Sequence, residues 1–255
     1  MHDIQNELDD RGIEIDEVGI TGLRYPITFD DGTTHHSGIA DLEVTVRLQQ
    51  DRRGTHMSRM VALVHDQLRD FDPRALPTIL KSGASLLDAP RLTIRFEMPL
   101  ALPVTAPASA LESYQVHQVA IVGTWEPEAA IVSTAVTSEV TSLCPCSKAI
   151  SDYGAHNQRS RVTLTVTGHD DSVYPLPVAA CVAIIRESGS APVIPLVKRP
   201  DERQMTMQAY DHPVFVEDMA RAVSAVCRAR GLQHQIRIQN LESIHSHDAI
   251  AYVRA

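Results

Sequence analysis

Apolar residues at Leu23, Tyr25, Ile27 and Phe29 alternate with less apolar neighbours, the two-residue period of a strand with one buried face. Asp30-Asp31-Gly32 offers a turn, and the alternation resumes at Leu42, Val44, Val46 and Leu48. The period then changes to that of a helix, with Met57, Met60, Val61, Val64, Leu68 and Phe71 on one stripe. Asp72-Pro73 reads as an N-cap followed by the first residue of a second helix through Leu87, with Pro77 awkward in its first turn. Strand alternation returns at Leu92, Ile94, Phe96 and Met98, and again over residues 114–122.

The same order recurs in the second half. Residues 131–140 and 162–166 read as strands. Val178, Cys181, Val182 and Ile185 form one helical stripe. Phe215, Met219, Val223 and Val226 form another, opened by Asp211 and closed by Gly231. Residues 233–241 and 249–253 complete the set as strands. The repeat is one of pattern and not of residue identity. It predicts an α+β fold of two tandem β-β-α-α-β-β modules, 1–125 and 126–255, with antiparallel hairpins and helices on one face. Outer strands of such sheets leave open edges that invite pairing with another copy of the chain. Residues 103–111, rich in Pro and Ala, read as a surface connection between strands.

Composition narrows the function classes. The 255 residues are 44% hydrophobic and only 4% aromatic, so aliphatic side chains supply most of the core. A formal charge of −9 argues against a nucleic-acid footprint and leaves room for one anionic small molecule held by local cations. No apolar run reaches membrane-spanning length, and MHDIQNELDDRG is polar and acidic, unlike a signal peptide. A cytoplasmic protein is expected. Its four cysteines are then thiols or metal ligands, with Cys181 and Cys227 read as buried packing on their helical stripes.

Cys144-Pro145-Cys146 carries the first chemical signal. A disulfide between residues this close is strained, and Ser, Pro and Lys neighbours are poor core material, which favours metal binding or nucleophilic catalysis. His156 follows twelve residues after Cys144, and imidazole with thiolate suits zinc and similar metals. In ESIHSHDA, a strand would put His245 and His247 on the same face, as a metal pair or an acid–base pair near Glu242. A polar turn is the plainer alternative. LVKRPDERQ is a charge run, usually a solvated loop, and could offer a carboxylate ligand and cations for phosphate. Glu217 falls in the first turn of the last helix, where an acid often only complements the macrodipole. DRRGTHMSR reads as a turn capped by Thr55, or as a phosphate site built from Arg52, Arg53 and a helix N-terminus. No GxxxxGK[ST] loop is present.

Together and in this order, DRRGTHMSR, TSLCPCSKAISDYGAHNQRS, LVKRPDERQMT, AYDHPVFVEDMAR and ESIHSHDA resemble the type IB GTP cyclohydrolases, from about Asp3 to the C-terminus. The resemblance implies the tunnelling fold (T-fold), a homotetramer with active sites at subunit interfaces, and conversion of GTP to 7,8-dihydroneopterin triphosphate and formate. It implies Cys144, His156 and Glu202 as ligands of a divalent metal (zinc, manganese or iron), with Asp201 the alternative to Glu202. It implies Glu217 as the anchor for the guanine N–H edge, with Glu242, His245 and His247 lining the same site. Lys148, Arg159, Lys198 and Arg199, all within matching segments, are the expected triphosphate cations. Three other readings compete: a T-fold nitrile reductase with Cys144 as nucleophile, a cyclohydrolase giving a cyclic phosphate, and a structural zinc closed by Cys144, Cys146, His156 and a fourth ligand.

Overall fold

The structure, a computed structural model, describes residue 5 and residues 7–127, 129–170 and 172–255. The first residues of the acidic N-terminus therefore lie outside the described residues. The chain runs β1 (Ile15–Asp30), β2 (His35–Leu48), α1 (Met57–Gln67), β3 (Asp70–Phe71), α2 (Leu76–Leu87), β4 (Leu92–Thr105) and β5 (Glu112–Glu126). It continues through β6 (Ala129–Leu143), α3 (Pro145–Ile150), β7 (Asn157–His169), α4 (Val178–Ser188), β8 (Ala191–Pro192) and α5 (Arg199–Asp211). The last elements are α6 (Val216–Ala229), β9 (Gln233–Asn240) and β10 (Ala249–Arg254).

Hydrogen bonding links the strands in the order β10-β9-β7-β6-β5-β4-β2-β1-β3, with β8 paired to β6. The β1–β2, β2–β4, β9–β10 and β6–β8 pairs are antiparallel, and the two-residue β3 pairs in parallel with β1. Contacts divide the chain into two compact units that interleave in sequence. One unit is Met1–Met98, Ala120–Thr134 and Thr167–Pro175; the other is Pro99–Val119, Ala135–Val166 and Leu176–Ala255.

In the first unit the alternating residues of β1, β2 and β4 turn inward, and Phe29, Phe71 and Phe96 meet at its centre. Their ring centroids are 4.7 to 6.4 Å apart. Helix α1 buries Met60, Leu63 and Val64. Phe71 was expected on its stripe, yet the helix stops at Gln67 and Phe71 enters the core from β3. Asp72 caps a 3-10 turn over Pro73–Ala75 by accepting the Arg74 N–H, and α2 starts afterwards. Pro77 falls in the first turn of α2, where a backbone N–H has no helical partner to lose. Thr55 does not cap α1: the N-cap is His56, and the buried Thr55 accepts a hydrogen bond from Gln5 through its carbonyl.

In the second unit α4 and α6 pack on each other, and α6 covers β9 and β10. Cys181 and Cys227 are fully buried, and burial pushes the Cys227 thiol up. Two polar segments without an apolar stripe are helices. The CPCSKAI segment winds into α3, and the RPDERQ charge run opens α5, whose last residue is the Asp211 expected to open α6. Residues 103–105 extend β4, and the remaining connection to β5 is tied down by a buried side chain described below. Among the described residues, no helix is long and apolar enough to cross a membrane.

Candidate active site

The end of β6 delivers Ser142 and Leu143, and Cys144 follows as the N-cap of α3 with Pro145 at its first position. The Cys144 Sγ accepts the Ser147 N–H at 3.4 Å. Gly154, at φ +70, turns the chain back toward β7, a conformation that side chains with a Cβ resist. Two hydrogen bonds close the loop: Cys144 N donates to the His156 carbonyl at 3.1 Å, and His156 N to Ser147 Oγ at 3.3 Å. The two residues, twelve apart in sequence, are thereby held next to each other through the backbone.

His156 Nδ1 lies 2.8 Å from Gln158 Oε1 and 4.0 Å from Glu242 Oε2. The His156 and Glu242 side chains are only 12% and 11% exposed. Glu242 Oε2 is buried and has no hydrogen-bond partner among the described residues. The His245 ring stands edge-on to His156, with centroids 6.2 Å apart, and stacks on His247 at 5.3 Å. Of the two readings, strand or polar turn, the turn is the one formed: both histidines lie in the β9–β10 connection, where two i, i+2 rings stack because the loop bends.

Cys144, His156, Glu217, Glu242 and His245 line one cavity in the second unit, with Val214 and Phe215 as its apolar wall. Glu217 reaches it from the first turn of α6, which Asp218 opens by accepting the Phe215 N–H at 3.1 Å. His247 touches the cavity only through His245. Cys146, exposed on α3, does not line it, so the closed zinc site with both thiols is not built here.

The remaining expected residues stand elsewhere. Glu202, Lys198 and Arg199 are exposed at the start of α5 and do not line the cavity. Lys148 donates to the Tyr210 carbonyl and sits 4.2 Å above that ring, and Arg159 lies 3.4 Å from Glu139. In the first unit, Arg52 pairs with Asp88 and Arg53 with Glu7, so carboxylates already occupy the two arginines considered for phosphate.

Asp201, the alternative to Glu202, does not line the cavity either. It is fully buried and accepts from Ala108 N, Ser109 N and Ser109 Oγ at 2.7 Å each, and from Lys198 N at 2.8 Å. Burial alone would raise its pKa; the hydroxyl and the backbone N–H donors overcome that and hold it well below the usual carboxylate range. Its role is to fasten the first turn of α5 to the β4–β5 connection.

The donors fit a divalent metal in kind: a thiol, an imidazole and a buried carboxylate oxygen lacking a partner. They do not yet fit in number. Among the described residues no three His, Cys, Asp or Glu side chains come close enough to hold an ion.

Four residues at or beside the site are given no role by the sequence, three of them within the segment that carries Cys144 and His156: Ser142, Gln158, Ser160 and Asn240, all buried. A signal existed. Each continues the inward parity of an apolar strand, Gln158 and Ser160 ahead of Val162 and Leu164 on β7, and Asn240 after Ile236 and Ile238 on β9.

The fold has a solved counterpart in the uricase of Arthrobacter globiformis, with a TM-score of 0.50 at 11% identity over 94% of this chain and 93% of that one. This chain therefore has the tunnelling fold of the uricase-like proteins. Residues 1–251 match the family described as type I GTP cyclohydrolase folE2. Proteins named GTP cyclohydrolase FolE2 from Herminiimonas arsenicoxydans and Fervidobacterium nodosum are each 38% identical to it. They align over 98% of this chain and 95% and 96% of their own. The counterpart in Neisseria gonorrhoeae is also 38% identical, over 98% of this chain and 97% of its own. The chain belongs to the type I GTP cyclohydrolase folE2 family.

Proposed function

We propose that the cavity of the second unit converts GTP and water to 7,8-dihydroneopterin triphosphate and formate, the entry step of tetrahydrofolate and queuosine-type deazapurine synthesis. The observation that carries this reading is the convergence of Cys144, His156, Glu217, Glu242 and His245 on one cavity, in a chain of this family. A nitrile reductase using Cys144 finds no support in the relatives, which are cyclohydrolases over nearly the whole chain. A cyclic phosphate product remains the minor variant of the same reaction.

Cys144 and His156 would hold a divalent metal (zinc, manganese or iron), with Glu202 as the third protein ligand. A metal so bound supplies Lewis acidity and lowers the pKa of water, which hydrolysis of the guanine imidazole ring needs at neutral pH. The carboxylate of Glu217 accepts hydrogen bonds from the guanine N–H edge and fixes the base. Val214 and Phe215 offer the base an apolar wall. His245, backed by His247 and facing His156, moves protons to and from the opened ring and the ribose. Lys148, Arg159, Lys198 and Arg199 are the cations proposed for the triphosphate, the last two being the least engaged.

Glu202 lies outside the cavity, and the segments that carry Cys144, His156 and His245 also carry exposed apolar side chains: Ile150, Tyr153 and Ile244. Both facts support a homotetramer in which a neighbouring copy completes each site, within a cytoplasmic enzyme of two tandem modules, 1–125 and 126–255. The test is to incubate metal-stripped protein with GTP and single divalent metals, following formate and pterin fluorescence after oxidation. Both products are expected with at least one metal. Their absence with every metal would overturn the reaction, and NADPH consumption in EDTA would favour the reductase.

A further inference from the structure

Two residues beyond His156, Gln158 is buried at 7% exposure, and the direction of its amide is set by a chain of hydrogen bonds. Ser142 Oγ lies 3.0 Å from the Val214 carbonyl, a group that only accepts, so the hydroxyl donates there. The lone pairs of the same oxygen then receive Gln158 Nε2 at 3.4 Å and Asn240 Nδ2 at 3.3 Å. Asn240 is oriented in turn by Ser160, whose hydroxyl donates to Asn240 Oδ1 at 2.7 Å. With the Gln158 NH₂ turned to Ser142, its carbonyl oxygen faces His156 Nδ1 at 2.8 Å. That oxygen can only accept, so the imidazole proton sits on Nδ1. Glu242 Oε2, the other polar atom near this nitrogen at 4.0 Å, is also an acceptor when ionised.

We infer that Gln158 is a positioning residue that holds His156 as its Nδ1–H tautomer and leaves the Nε2 lone pair free to ligate a divalent cation. Ser142 extends the arrangement, because it aligns Gln158 while bonding residue 214, three positions before Glu217. One hydroxyl thus ties the imidazole to the wall that carries the base anchor. The tautomer stands on this geometry alone. Its consequence for metal rests on the proposal that His156 is a ligand.

The experiment reads the two separately. Full-length protein labelled with ¹⁵N-histidine is examined by ¹⁵N–¹H correlation, which distinguishes a protonated Nδ1 from a protonated Nε2. Zinc affinity is measured by competition with a chromophoric chelator. His156 is expected as Nδ1–H in the unaltered chain. Gln158→Leu should lower that population and weaken zinc by roughly 10–100-fold, the usual range for such supporting partners. Gln158→Glu should keep the tautomer, since a carboxylate also accepts from Nδ1, and retain most of the affinity. A purely structural role would predict no such rescue. His156 protonated on Nε2 in the unaltered chain would overturn the inference, even if Gln158→Leu failed to fold. So would a folded Gln158→Leu with unchanged tautomer and affinity. Failure to form formate from GTP would instead sink the proposed reaction and leave the tautomer untouched.

Discussion

His117 and His234 are buried to the same degree, 1% exposed each, and each sits on the inward parity of its strand in the second unit. Their surroundings differ. His234 donates from Nδ1 to the Leu232 carbonyl at 2.8 Å and accepts at Nε2 from Ser224 Oγ at 2.9 Å. Neither nitrogen of His117 has a hydrogen-bond partner among the described residues. Its nearest charged influence is Arg186, which donates to Gln115 Oε1 at 2.8 Å and not to the imidazole. Burial, and then the Arg186 charge, push the His117 pKa down to about 4. What separates the two histidines is whether hydrogen bonds compensate the burial, since the burial itself is equal. The penalty comes from burial without a matched partner.

The largest expected effect comes from turning a matched region into an unmatched one. Asp201→Ala strips the acceptor from four donors at once and frees the first turn of α5. It should lower the urea midpoint more than any other single change discussed here. A midpoint equal to that of the unaltered chain would show that those donors find water readily.

The unmatched histidine predicts acid sensitivity. Its folded pKa lies below the ordinary 6.5, so the unfolded chain takes up the proton first as pH falls. The stability associated with neutral His117 is thus fully present above pH 6.5 and lost progressively toward about pH 4. The loss amounts to about 3 kcal/mol at most. Replacing it by leucine removes that share of the slope and leaves stability at pH 7 unchanged or raised. Urea unfolding at pH 7 and pH 4.5 checks both statements; an unaltered slope in His117→Leu contradicts the account.

The smallest change sharpens the comparison from the matched side. Ser224→Ala leaves His234 Nε2 without its donor and should cost about 1–2 kcal/mol. Adding His234→Leu should restore part of that loss, since both partners are then apolar. No restoration in the double variant would mean that the pair is held by packing and not by the hydrogen bond.

Much of the fold was legible because one buried face imposes a period of two on strands and a longer one on helices. Leu42 through Leu48 became β2, Val178 through Ile185 lie on α4, and the Asp-Gly turn joins β1 to β2 as read. What escaped was local order without an apolar stripe. Helix α3 begins with Pro145 and has no buried residue, and α5 buries only Asp201 and Ala209. Their helicity follows from capping and tertiary hydrogen bonds that no periodicity records. Phe71 misled because a residue one turn beyond a helix can share its stripe while belonging to a strand. At the candidate site, Cys144 and His156 were legible as reactive types at metal spacing. Gln158 and Ser142 were not, since a polar residue on inward parity reads as a flaw in the pattern until its partners are known.

Ser109 and Asp201 are 92 positions apart in the chain, yet Asp201 answers to the hydroxyl and the backbone around Ser109 as a single acceptor. In evolutionary terms the two sites are one unit of inheritance. Loss of Asp201 leaves four donors without their acceptor and loss of the Ser109 hydroxyl removes one of those four, so selection should act against either change before a second arrives. Aligned relatives are then expected to alter the pair together or leave both in place. The loop between β4 and β5, outwardly a tolerant stretch of Pro and Ala, is for that reason expected to drift less freely than its composition suggests.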